Sequence, residues 1–166
     1  MPETTQIVIN TSPLIALVAA WGDLSRLASL YEQVFVPLEV CQEVLKGGTN
    51  QFAVHEFERA TWLEKQIFPQ QVSPYLLNSL DLGEASVIQF ALDQTIPTVC
   101  IDEPVGRRMA RLSGLNLTGA VGILLKAKKK DSSLSVRTAI GNMLNRNIRL
   151  SQTVINFALA QAGELD

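Results

Sequence analysis

Cysteine is scarce: only Cys41 and Cys100 occur in 166 residues, both among apolar neighbours. Such thiols are expected to be buried and reduced rather than to form a disulfide framework. Histidine is scarcer still. A lone His55 with two distant cysteines cannot build a zinc centre, and a position on a helix surface is expected for it. Neither sign of charge dominates: 16 acidic and 14 basic residues leave a net charge of -2, which does not by itself mark a nucleic-acid binder. A local basic patch is still compatible with that balance. No apolar run approaches the roughly 20 residues that cross a bilayer. The opening MPETTQ has neither the basic nor the apolar part of a secretion leader, so a cytoplasmic location is expected. There is no repeat, linker or low-complexity stretch, and residues 1–166 are expected to form one domain.

What the sequence does have is a large apolar fraction, 47%, in short runs separated by helix signals. Ile7 to Ile9 reads as a β-branched strand, and Ser12-Pro13 as the cap and first turn of a helix through Trp21. Val34 to Val36 predicts a second strand. A helix from Pro37 to Lys46 follows, stopped by Gly47-Gly48. Residues 50–60 are expected to be helical, Trp62 to Phe68 a short edge strand, and Pro69 to Ser79 a loop or weak helix. Gly83 to Gln94 reads as an amphipathic helix with Ala85, Ile88 and Leu92 on one side. Pro97 to Ile101 is a strand, Gly106 to Ser113 a helix, Leu115 to Leu117 a strand and Ala120 to Lys130 a helix. Two more helices are predicted near 133–144 and 151–163. Strands alternating with helices predict an α/β fold around a central parallel sheet.

Ligands of open parallel sheets bind beyond the carboxyl ends of the strands. The first strand ends at Asn10, with Thr11 and Ser12; the strand at Val99 ends at Asp102 and Glu103; the strand at Leu115 ends at Thr118 and Gly119. Helix starts add Glu39 and Glu43, and Asp81 and Glu84. Each has a local reading. Asn10 can bond turn amides. Glu43 can lie with Glu39, Gln42 and Lys46 on a solvated face. Asp81 and Glu84 have capping-box spacing, and Asp102-Glu103-Pro104 can start a turn. Together, carboxylates from separate segments aimed at one sheet end would repel unless a cation sat among them. Oxygen ligands suit a divalent ion, and phosphodiester hydrolysis is common chemistry for such a cluster.

The stretches IVINTSPLIAL, VFVPLEVCQEVL, LDLGEASVIQFAL and VCIDEPVGRRMARLSGLNLTGAVGILLKAK, in that order and spacing, resemble the PIN-domain family. The likeness is nearest to its VapC-like bacterial subfamily of short nucleic-acid-binding proteins. The resemblance implies a PIN-like three-layer α/β domain and a Mg²⁺- or Mn²⁺-dependent ribonuclease site. It places the four acids of that site on Asn10, Glu43, Glu84 and Asp102, with Glu103 beside the last. Thr11, Ser12 and Thr118 would be supporting polar residues. At Asn10 the chain departs from the family's D-T-S-P motif. A carboxamide keeps the oxygen but loses the charge, and it cannot act as a general base. Weak or conditional binding of Mg²⁺ or Mn²⁺ and low activity are therefore expected.

Arg107, Arg108 and Arg111 follow the Asp102 turn and are candidates for RNA phosphate contacts. Lys126, Lys128, Lys129 and Lys130 end one helix, where they complement its dipole. Three classes of function compete. The first is a metal-dependent endoribonuclease, as the toxin of a toxin–antitoxin pair with an antitoxin partner. The second is a weakened module that binds RNA or protein without cutting. The third is a structural or interaction protein using the α/β scaffold alone. Separately, Leu and Val are frequent in the early helices, which suits a homodimer face.

Overall fold

The computed structural model describes residues 5–47 and 51–165. Its centre is a five-stranded, all-parallel sheet with the order β3-β2-β1-β4-β5. The strands are β1 (Gln6–Ile9), β2 (Gln33–Val36), β3 (Glu64–Lys65), β4 (Thr98–Cys100) and β5 (Asn116–Thr118). β1 lies in the middle because both its faces are apolar: Ile7, Val8 and Ile9 are fully buried. Burying each such side chain is worth about 1.5–3 kcal/mol. The register sets Val8 beside Phe35 on one flank and Val99 on the other. Thr98, Val99 and Cys100 then pair with Asn116, Leu117 and Thr118. All strand ends that carry polar residues therefore point the same way.

Helices cover both faces of the sheet. α1 (Thr11–Trp21) leaves β1 directly, and its C-cap Gly22 has φ +86. α2 (Ser25–Leu30) leads into β2; the sequence reading has no element there. α3 (Leu38–Lys46) follows Pro37. The helix expected over 50–60 is shorter, α4 (Val54–Arg59); Gly48 and Asn50 lie outside the described residues. The edge strand expected over 62–68 contracts to β3. Within the stretch expected as loop or weak helix, 74–79 is α5 (Pro74–Ser79), capped by position at Ser73 with proline in its first turn.

α6 (Leu82–Asp93) corrects the amphipathic reading. Every residue from Gly83 to Ala91 is buried, so this helix is enclosed on all sides, and Leu92 is one of its exposed residues. α7 (Pro104–Leu112), α8 (Ala120–Lys130), α9 (Val136–Asn145) and α10 (Gln152–Gln161) complete the chain. The expected start near 133 shifts to Val136 because the Ser135 hydroxyl caps the Thr138 amide. Cys41 and Cys100 are both free and buried, and His55 is exposed.

Glu164, beyond α10, ties the last helices together. Its carboxylate accepts from the amides of Val136 and Arg137 at the start of α9, and it lies 3.4 Å from Lys128 Nζ. The lysines at the end of α8 are likewise engaged: Lys128 donates to Leu134 O, Lys130 to Ser29 O, and Lys126 sits over the Tyr31 ring.

Candidate active site

Four elements deliver oxygen-bearing side chains to the carboxyl end of the sheet. At the end of β1, the Asn10 amide donates to Cys100 O (3.1 Å), which holds Asn10 against β4. Asn10 has the extended backbone of a helix N-cap, yet its side chain makes no capping bond. Its Oδ1 is buried, in a residue 4% exposed, and has no hydrogen-bond partner. Turn chemistry therefore does not account for this asparagine. An unmet buried acceptor costs on the order of 1–3 kcal/mol, so that oxygen calls for a partner.

At the end of β4, Asp102 Oδ1 accepts from the Ala120 amide (2.8 Å) at the start of α8. Arg107, on α7, donates through Nη1 to Ile101 O (2.8 Å) and Thr118 O (3.3 Å). It thereby clamps the ends of β4 and β5 beside Asp102. Burial pushes the Asp102 carboxyl above its ordinary value, while the Ala120 amide and the Arg107 guanidinium oppose the rise.

From α6, Asp81 and Glu84 arrive together. Asp81 Oδ1 accepts from the Glu84 amide (2.9 Å), so the capping reading of Asp81 holds. Glu84 is buried, and its carboxyl is pushed up to about 7, first by desolvation and then by the charges of Asp81, Glu103 and Glu43. Glu43, on the last turns of α3, is pushed up by desolvation and by Asp81. The Thr11 hydroxyl opposes that rise without forming a well-aligned hydrogen bond.

Three glycines make room for these groups. A methyl group on Gly83 would lie 2.9 Å from Glu43 Oε2, 3.4 Å from Asn10 Oδ1 and 3.6 Å from Asp81 Oδ1. One on Gly106 would lie 2.9 Å from Ile101 Cγ2 and 3.5 Å from Glu84 Cδ. One on Gly119 would lie 2.6 Å from Asp102 Oδ1 and 2.9 Å from Arg107 Nη1. Glu84 feels acids from both neighbouring segments, Asp81 and Glu43 as well as Glu103.

The remaining sequence candidates fall around this centre. Thr11 is buried, Ser12 is exposed, and Thr118 is half-buried with its carbonyl in the Arg107 clamp. Arg108 and Arg111 are exposed on α7. A groove of about 820 Å³ runs from Ser12, Asp102, Glu103 and Arg107 towards Met143 and Phe157. Glu39 departs from its expected place on a solvated helix face. It is buried, and its Oε2 accepts from the Gln70 amide (2.7 Å), which pins the strap before α5.

The amino-acid sequence that folds into this all-parallel α/β sheet is matched by a family model. The model, DUF3368, is described as a PIN domain and matches residues 6–164. The chain belongs to the PIN-domain family. No curated protein matches it. PIN domains are nuclease-type domains and generally use divalent metal ions.

Whether this PIN domain's residues suit such an ion can be judged from its own atoms. Among the described residues no three Asp, Glu, His or Cys side chains are already gathered closely enough to hold a metal. The donor set is nonetheless all oxygen, the kind hard divalent cations take. The orphaned Asn10 Oδ1 and the carboxyls raised by burial and then by neighbouring acids are the features a cation would relieve. The residues fit the group. No helix of the described residues is long and apolar enough to cross a membrane.

Proposed function

We propose that this PIN domain is a metal-dependent endoribonuclease of low or conditional activity, VapC-like in kind and acting in the cytoplasm. What supports the reading is that Asn10 and Asp102 follow the adjacent strands β1 and β4, that Glu43 meets Asn10 over Gly83, and that the charges of Asp81, Glu103 and Glu43 all act on Glu84. Mg²⁺ or Mn²⁺ would be held by Asn10, Glu43, Glu84, Asp102 and Glu103, and bound there it supplies a Lewis acid for a phosphodiester. Asp102 is held in place by the Ala120 amide and by Arg107. Glu84, with its carboxyl near 7, is suited to exchange a proton near neutral pH. Arg108 and Arg111 face solvent beside the site, where they can meet RNA phosphates. Arg107 has its Nη1 committed to two carbonyls, so its role in this reading is to brace Asp102 as well as to face RNA. An antitoxin protein and a second copy of the chain belong to the same reading as partners.

A specific observation favours a second reading, a module that binds RNA or a protein without cutting it. Asn10 supplies an oxygen where the family motif supplies a charge. Weakened stabilisation of the leaving oxygen, several kcal/mol, corresponds to about a hundredfold or more in rate. Asn10→Asp is therefore expected to raise RNA cleavage by about a hundredfold in Mn²⁺, and Asp102→Ala to abolish it. Cleavage by the native chain as fast as by Asn10→Asp would remove Asn10 from the reaction. Retention of RNA by all three proteins with no cleavage would favour the binding module.

A further inference from the structure

The Gly83 methyl position is a point about which three oxygens gather: Glu43 Oε2, Asn10 Oδ1 and Asp81 Oδ1, all within 3.6 Å. Two are carboxylate oxygens. The third is the buried carboxamide oxygen with no hydrogen-bond partner. Glycine leaves the space open; any other residue would place carbon in it. Asp81 already accepts the Glu84 amide, but an ionised carboxylate has about four acceptor positions, so the cap does not exhaust it. Asp81 acts on Glu43 more strongly than does Lys46, the cationic side chain among the causes of its shift.

We propose that Asp81 is a cation-binding residue: with Asn10 Oδ1 and Glu43 Oε2 it forms an oxygen pocket over Gly83 for a hard divalent cation. Its carboxylate supplies the charge that position 10 lacks. The proposal rests on the divalent-cation reading of the same site and extends it to a residue whose sequence role is helix capping alone. The two roles are compatible because capping uses the carboxylate as a neutral acceptor would, whereas cation binding needs its charge. The charge at position 81 and the charge at position 10 are therefore interchangeable in this pocket.

The test separates charge from capping. Asparagine caps helices as well as aspartate does, so Asp81→Asn keeps the start of α6 and removes only the charge. Mn²⁺ alone, titrated calorimetrically into the full chain, is expected to bind at least tenfold more weakly to Asp81→Asn than to the native protein. The double variant Asn10→Asp/Asp81→Asn, with native total charge, is expected to return to within about threefold of the native affinity. Gly83→Ala is an independent probe that alters no ligand. Alanine favours helix over glycine by up to about 1 kcal/mol, so its metal-free melting temperature should not collapse, yet its added methyl occupies the pocket and should weaken Mn²⁺ binding at least tenfold. Native affinity in Asp81→Asn would overturn the proposal. So would a double variant as weak as Asp81→Asn alone, or a native chain that binds no Mn²⁺ because the Asn10 amide group turns its NH₂ towards Glu43. None of these titrations contains RNA. If they succeed while no variant cleaves RNA, the nuclease reading fails and the pocket stands.

Discussion

The chemistry of this PIN domain turns on a few side chains whose positions cost stability. Glu84 shows the cost most clearly. Its folded carboxyl lies near 7 against an ordinary value of 4.5, so the folded state holds a proton that the unfolded state has released between those values. The sign follows: its stabilising contribution is present below about 4.5 and is lost as pH rises through about 7. Denaturant midpoints of the chelated protein are expected to fall across that interval, and Glu84→Gln should flatten the fall. Added Mn²⁺ should also flatten it, because a cation favours the carboxylate. Sequence alone placed Asn10 and Asp102 at strand ends and Glu84 at a helix start, since local signals reveal where a strand stops; Glu43, expected near the start of its helix, lies in the last turns of α3. It misjudged Glu39, whose partner is an amide 31 residues away, and no spacing rule reports such a contact. Asp81 was legible as a cap; its approach to Asn10 and Glu43 exists only once α6 packs beside β1 and α3.

At the scale of elements, the glycines matter as much as the acids. Gly119 precedes α8 with an ordinary extended backbone, φ −141, so alanine there meets no backbone strain. Its methyl would instead press on Asp102 Oδ1 and Arg107 Nη1. Gly119→Ala is expected to cost about 1–3 kcal/mol, as overpacked sites do, and to lower RNA cleavage by displacing Asp102. Melting curves and cleavage rates read the two effects separately. The strands were legible because Ile7–Ile9 and Thr98–Val99 are β-branched, and Val34–Val36 sets an aromatic between two valines, all strand-favouring residues. α2 was not, because Leu27 alone of its residues is buried and it follows a Gly-Asp turn. α6 read as amphipathic because a sequence pattern cannot show that a helix is enclosed on every side. The nine consecutive buried residues reflect tertiary neighbours on both flanks.

For the whole molecule, opposing ionisations shape the pH response. Although burial works the other way, the amides of Arg137 and Val136 hold the Glu164 carboxyl below its ordinary value. That contribution is present above about 4.5 and is lost as pH falls through the depressed value. Glu84, Glu43 and Asp102 act in the reverse sense, so the metal-free protein is expected to be most stable in mildly acidic solution. Glu164→Ala, which strips acceptors from the start of α9, should cost about 1–3 kcal/mol by chemical denaturation and remove the acid limb of the profile.

The strand order bears on how the protein comes to exist in a cell. β1 is made before its neighbours and ends as the middle strand, so Val8 waits for Val99 before its second flank is paired. Such non-local pairing slows folding, because loop-closure entropy is lost before contacts repay it. A nascent chain that has not passed β4 also lacks Asp102, so no product of synthesis shorter than that carries an assembled centre. Ribosome-bound chains of increasing length, probed by pulse proteolysis, should gain protection only after Thr118 has emerged. A potential nuclease would thus stay harmless on the ribosome until nearly all of its sheet had been made.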